Sequence, residues 1–229
     1  MTTKLRIATY NVHKCKGMDG RVRPERVARV MLRLDADVIA AQEVLGPQAE
    51  ALADGLAGAG YRFSFGENRK IAGVSYGNAT FSRLTVEMAR NYDVSIGERE
   101  RRGVLRTDVV TAEGVVHVFN AHLGTSYGER GRQAQCLLAE GLLLDRAIGK
   151  RRVVCGDFNE WVRGRCSRAL AREFQSARPR RSYPGVLPLL ALDHIYFDSK
   201  LALERHWVFR ERLGLLASDH LPLLADFRV

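Results

Sequence analysis

Carboxylates, amides and imidazoles recur together at six points of this chain: Tyr10-Asn11-Val12-His13, Gln42-Glu43, Phe119-Asn120-Ala121-His122-Leu123, Gly156-Asp157-Phe158-Asn159, Leu192-Asp193-His194 and Ser218-Asp219-His220-Leu221-Pro222. Each follows a short apolar run, which places it where a buried strand emerges. Oxygen ligands for a cation, a carboxylate to aim a water and imidazoles to meet anionic oxygens are what metal-assisted hydrolysis of a phosphate ester requires. Side chains two apart on an extended segment share a face, so Asn120 points with His122 and Asp157 with Asn159. Singly, these clusters have ordinary readings: an Asx-type turn for Asp157-Phe158-Asn159, a loop pair for Asp219-His220, a satisfied core histidine for His122. Glu43 is harder to explain that way. It leaves Val38-Ile39-Ala40-Ala41, a run expected to be deeply buried, and a carboxylate there needs a partner to offset its desolvation. A divalent cation supplies one.

The elements that must position these groups are strands and helices in alternation, then mostly strands. Strands are expected over 5–12 and 38–41, the second delivering Glu43 just past its end. Pro24 opens a helix whose Val27, Val30, Met31 and Leu34 share a face, and a second helix is expected over 48–58. Strands follow over 61–65, 74–81, 84–90, 105–110 and 115–120, at a spacing that suggests antiparallel sheet. The periodicity of Ala134, Leu137, Leu138 and Leu142 predicts the longest helix over 129–148. A strand over 151–155 aims at Asp157, and strands over 195–197, 203–208 and 223–229 close the chain. This pattern fits two sheets with helices packed outside, in one domain over residues 1–229. The aromatic-Asn-x-His sequence at residues 10–13 and 119–122 hints at two similar halves.

Composition narrows the partners. The net charge of +10 points to an anionic one: nucleic acid, a phospholipid headgroup or a small phosphorylated compound. Only six of the 36 basic residues are lysines, a bias towards arginine that genome composition also produces. Arg178-Pro179-Arg180-Arg181 reads as a solvated loop and Glu98-Arg99-Glu100-Arg101-Arg102 as an exposed turn. No apolar run is long enough to span a bilayer, and the strand-like start leaves no room for a secretory signal, so a cytoplasmic location is expected. Cys15, Cys136, Cys155 and Cys166 have no zinc-ligand spacing; Cys136 and Cys155 are expected in the core, and Cys15 is either buried or reactive.

Taken in order, Thr9-Tyr10-Asn11-Val12-His13, Ala41-Gln42-Glu43-Val44, Gly77-Asn78-Ala79-Thr80-Phe81-Ser82-Arg83, Asn120-Ala121-His122-Leu123, Gly156-Asp157-Phe158-Asn159, Leu192-Asp193-His194-Ile195 and Ser218-Asp219-His220-Leu221-Pro222 resemble the motif series of the endonuclease/exonuclease/phosphatase superfamily. The resemblance runs from Leu5 to Val229. It implies an α+β fold, a four-layer α/β/β/α sandwich of two mostly antiparallel sheets with helices outside, and hydrolysis of phosphodiesters or phosphomonoesters with Mg²⁺ or Mn²⁺. It also implies roles. Glu43 becomes the principal metal ligand, with Asn11 and Asp219 close to the ion. Asp157 orients or deprotonates the attacking water, and Asn159 holds the phosphate. His220 contacts the scissile phosphate, with Asp193 fixing its tautomer and supporting its charge, and His122 binds the phosphate or assists the leaving group. Asn78 supports the substrate side of the site.

Substrate choice stays open at this level. The segment after the first strand, His13-Lys14-Cys15-Lys16-Gly17, differs from that of the apurinic-site endonucleases, and the motifs look closer to the phosphatase-like and sphingomyelinase-like branch. His13, Lys14, Trp161 and Arg163 are expected around the mouth as substrate contacts, with Arg21 beside them; Trp161 could stack on a base or cover the core edge. Charge favours a nuclease. A phospholipid or small-molecule phosphodiesterase is the alternative, and a catalytically silent domain that binds nucleic acid or protein is the reading from another class. No protein partner is implied.

Overall fold

The computed structural model describes residues 3–229. Two six-stranded sheets pack face to face. The first holds β1 (Lys4–Asn11), β2 (Val38–Leu45), β3 (Arg62–Ile71), β4 (Val74–Ser82), β11 (Ala202–Val208) and β12 (Leu223–Arg228), in the order β11-β12-β1-β2-β4-β3. The second holds β5 (Val86–Asp93), β6 (Gly103–Thr111), β7 (Gly114–His122), β8 (Arg152–Asp157), β9 (Gln175–Ser176) and β10 (Asp193–Phe197), in the order β5-β6-β7-β8-β10-β9. Each sheet has one parallel pair, β1 with β2 and β7 with β8, and is otherwise antiparallel. Helices α1 (Pro24–Leu34), α2 (Gly46–Ala57) and α5 (Arg212–Ala217) cover the outer face of the first sheet, and α3 (Tyr127–Leu137) and α4 (Arg165–Glu173) that of the second.

Strand alternation explains the layering. On β1, Leu5 and Ile7 point between the sheets, where they meet Val118, Val153 and Ile195, while Ala8 and Tyr10 point outward to Val27, Met31 and Leu52 of α1 and α2. On β7, Val116 and Val118 face inward and Phe119 and Ala121 outward against Leu137 and Leu170. The two aromatic-Asn-x-His sequences therefore end corresponding strands: β1 and β7 each lie between one antiparallel and one parallel neighbour.

The helix expected over 129–148 is shorter. It begins at Tyr127 and stops at Leu137, after which the chain turns and Gly141 takes φ +93°, a conformation no helix interior admits. Leu142 and Leu143 still reach the core, so the apolar periodicity reflected burial and not helix. The strand expected over 84–90 lies at Val86–Asp93. Pro24 stands at the first turn of α1, and Asp35 ends it in the left-handed conformation. Cys15 is fully buried, with its thiol pushed up to about 12 by burial, which makes it unreactive; Cys155 is buried and Cys136 only partly so.

Buried amides tie the sheets together beneath the strand ends. Asn120 Nδ2 donates to the carbonyls of Ala41 and Ala79 in the opposite sheet, and its Oδ1 accepts from Gln42 Nε2 at 2.8 Å. Asn78 Nδ2 donates to the carbonyls of Gly103 and Asn120. Each buried group left without a partner costs about 1–3 kcal/mol. Asn120→Ala strips partners from two carbonyls and one amide, so urea unfolding should show a loss of roughly 3 kcal/mol or more, against near-neutral change for an exposed alanine substitution.

Candidate active site

The inward faces of the strands converge at one end of the interior. Parallel pairing puts His122 beside Asp157 on β7 and β8, and antiparallel pairing puts Asp157 opposite Asp193 on β10. From the other sheet comes Asn11, the last residue of β1, one residue past the outward-facing Tyr10. Regular alternation would send Glu43 outward with Ile39 and Ala41, under the helices. Instead β2 is irregular between Ala41 and Val44, and Glu43 itself has φ +58°. That bulge turns the carboxylate back towards Asn11, whose Nδ2 donates to Glu43 Oε1 at 3.1 Å and to Asp157 Oδ2 at 2.9 Å. One nitrogen thus lies within hydrogen-bond reach of carboxylates from both sheets.

Around this pair the other groups take distinct places. His220 turns Nε2 to within 3.6 Å of Asp157 Oδ2 and Nδ1 to 3.0 Å from Asp193 Oδ2. Asp193 is fully buried and also accepts from Ser182 Oγ. Burial opposes the charge on His220, but Asp193 and Asp157 outweigh it and raise its pKa to about 10. His122 Nε2 stands 3.8 Å from the same Asp157 oxygen, too far for a hydrogen bond. Burial, then the Arg102 guanidinium, lowers its pKa to about 4. Two imidazoles face one carboxylate, one held charged and one neutral. Asn159, at φ +51°, donates its backbone N–H to Asp157 Oδ1 and its amide to the Leu123 carbonyl. Asp219 lies 3.3 Å from His13 Nδ1, and Lys14 Nζ sits 2.7 Å from Glu43 Oε2. Burial opposes ionisation of Glu43, yet His122, which is protonated at the low pH where Glu43 titrates, together with Lys14 and Asn11 holds its pKa at about 2.

The charge on His220 makes a pH test possible. Its folded pKa lies above the ordinary imidazole value, so its contribution to stability is full below about 6.5 and is lost as pH rises through about 10. Asp193→Asn removes the largest favourable influence on that charge. The alkaline limb of a kcat/KM profile should then move to lower pH, and an unmoved limb would show that Asp193 does not support the charge.

The expected residues are not all at the centre. Asn11, Glu43, His122, Asp157, Asp193 and His220 gather there, and Asn159, Asp219, His13 and Lys14 border it. Asn78 is fully buried between the sheets and spent on backbone carbonyls, so it has no surface to offer a substrate. Trp161 and Arg163 line a separate cavity of about 310 Å³ with Arg178, Pro179 and His194, and Arg130 lies 5.9 Å over the Trp161 ring. The mixed-sign run is an exposed turn only as far as Arg101. Arg102 is buried, paired with Glu100, and its Nη1 is 3.1 and 3.2 Å from the two ring nitrogens of His122, so it crosses the ring instead of meeting one lone pair. Tyr183, 4.8 Å from the His220 ring, is likewise new, as is Ser182. Neither was signalled by a motif; they follow the arginine run with no apolar periodicity or polar cluster of their own.

The donors fit a hard divalent cation. Among the described residues no three His, Cys, Asp or Glu side chains converge tightly enough to hold an ion unaided. Mg²⁺ does not need that: it keeps several waters and takes one or two carboxylates together with the substrate's phosphate. Glu43 is the carboxylate placed for this: its two oxygens accept from Asn11 Nδ2 and Lys14 Nζ, donors that a bound cation would replace.

Comparison with known proteins shows the family to which this fold belongs. Residues 8–220 match the model of the Endonuclease/Exonuclease/phosphatase family, and the chain belongs to that family. It is 30% identical over 250 aligned positions to the uncharacterized protein YbhP of Escherichia coli K12, covering 98% of this chain and 96% of that one. The fold matches mannosyl-6-phosphatase of Bacteroides thetaiotaomicron with a TM-score of 0.82 at 17% identity, over 98% and 100% of the two chains. It also matches D. rerio TDP2 in complex with a single-strand DNA product, with a TM-score of 0.73 at 16% identity, over 99% and 100%. Members of the family are metal-dependent hydrolases of phosphoesters.

Proposed function

We propose that this protein hydrolyses phosphodiesters with Mg²⁺ or Mn²⁺. The observation that carries the reading is the opposed pair of imidazoles on Asp157, with His220 held charged and His122 neutral beside two carboxylates from different sheets. Glu43 would hold the cation, with Asp219 and the Asn11 amide beside it. Once bound, the ion would neutralise charge on a phosphoryl oxygen and acidify water.

The chain's own groups have the remaining work. Asp157 accepts a proton from the attacking water and fixes its direction, since both its oxygens are already oriented by Asn11 and Asn159. His220 presents a charged Nε2 to the non-bridging oxygens, with Nδ1 secured on Asp193. His122, neutral, donates or accepts one hydrogen bond at the leaving group. Asn159 steadies the phosphate. His13 and Lys14, on a left-handed turn at the end of β1, stand at the mouth.

The basic balance suits nucleic acid and anionic lipid alike, and a DNA-bound relative of the same fold keeps the former in view. A comparison of bis-p-nitrophenyl phosphate with p-nitrophenyl phosphate in Mg²⁺ tests the reaction class. The diester should turn over faster. Exclusive monoesterase activity, or none on either compound with Mg²⁺ or Mn²⁺, would overturn the proposal.

A further inference from the structure

The loop from Arg178 to Leu192, between β9 and β10, does something the reaction does not require. Its stem is bridged by Tyr183 and Leu190, and its tip exposes Val186, Leu187 and Leu189 by 55, 64 and 56%. The stem is tied to the active site. Ser182 holds Asp193, the Tyr183 ring lies on His220, the Gly185 N–H donates to the Asp219 carbonyl at 2.7 Å, and the Leu221 N–H donates to the Ser182 carbonyl. The aliphatic tip therefore stands at the rim, directly beside the groups that would meet the phosphate.

Further apolar side chains are exposed on the segment leading to Ser218. Leu216, two residues before Ser218, is 41% exposed, and its carbonyl accepts from the N–H of Met18, itself 43% exposed. Isolated exposed aliphatics are ordinary, but three grouped on one loop tip beside a site mark an interaction surface. Arg178, Arg180 and Arg181 leave the stem exposed to solvent. Aliphatic tips over a basic collar are complementary to an anionic bilayer: the side chains enter the acyl boundary and the guanidinium groups meet headgroup phosphates. A single strand of nucleic acid would instead call for aromatic faces on which bases stack; the tip offers none, and the exposed Trp161 lies in the separate cavity with Arg178.

We propose that this protein docks on anionic membrane surfaces through the 186–189 tip and acts there on a phosphodiester in a lipid headgroup. The inference rests on the phosphodiesterase reading for its chemistry. Water oxygen bonds to phosphorus, the ester P–O bond breaks, one water proton passes to Asp157, which later returns it to solvent, and the leaving oxygen takes a proton from solvent, yielding an alcohol and a phosphomonoester. No helix among the described residues is long and apolar enough to cross a membrane, so attachment would be interfacial.

Co-sedimentation with vesicles of phosphatidylcholine alone, and of phosphatidylcholine mixed with phosphatidylglycerol, tests the docking. The wild type should pellet with the mixed vesicles only. Combined Leu187→Asp and Leu189→Asp, and separately Arg180→Glu with Arg181→Glu, should weaken that partitioning by about tenfold or more, while hydrolysis of soluble bis-p-nitrophenyl phosphate is unchanged. Loss of soluble turnover in the wild type would sink the chemistry and leave docking standing. Three results would overturn the docking: no binding to anionic vesicles, binding that the aspartates do not touch, or a wild-type dimer that the same aspartates dissociate. The last would show a second copy of this chain covering the patch.

Discussion

Asp157→Asn should lower kcat for a phosphodiester by roughly a hundred- to ten-thousandfold, the range for loss of a positioned general base. The substitution preserves volume, and the reason for so large an effect is its hydrogen bonds. Asp157 accepts from Asn11 Nδ2 through one oxygen and from the Asn159 N–H through the other. An amide can satisfy only one of these donors, and its NH₂ must face the other. It also removes the negative charge towards which both His122 and His220 are turned. The unpaired donor adds a stability cost of about 1–3 kcal/mol, visible as a lower urea midpoint. A variant with wild-type kcat would remove Asp157 from the reaction.

His220→Asn is the second large expected effect, a loss of about a hundred- to a thousandfold in kcat, as for removal of one preorganised donor to a developing anion. Here stability should suffer more than activity alone suggests. Asp193 has no solvent exposure, and without His220 only Ser182 remains on its facing oxygen. Breaking a buried pair by removing one partner costs roughly 3–5 kcal/mol. Thermal unfolding should therefore be measured beside the rate, at a temperature where both proteins are folded. A rate within a few-fold of wild type would show that the histidine braces the fold and does not meet the phosphate.

Most of this site was legible because strand geometry is regular. Val116, Val118 and His122 share a parity, as do Val153, Cys155 and Asp157, so apolar runs followed by polar residues located the inward-facing groups at the strand ends. Glu43 was located by its chemistry, since regular alternation would send it outward. Only the bulge after Ala41 brings it inward, and a bulge leaves no mark in a run such as Ala40-Ala41-Gln42-Glu43-Val44. Arg102 was hidden for another reason. In a run of alternating charges nothing distinguishes the one arginine that the following strand, β6, draws under cover against His122. Asn78, a motif position expected to support the site, does not reach a substrate: its amide is consumed by the packing of one sheet on the other. The overlong helix came from Leu142, which is buried by a turn and not by a helical face.

The central claim is that Glu43 anchors a divalent cation for phosphoester hydrolysis, and the most direct measurement is the rate of bis-p-nitrophenyl phosphate hydrolysis against Mg²⁺ concentration for wild type and Glu43→Gln after chelation. Chelated wild type should be inactive, Mg²⁺ should restore it saturably, and the variant should need about tenfold or more additional metal for a much lower plateau. Equal rates in both proteins, independent of metal, would contradict it.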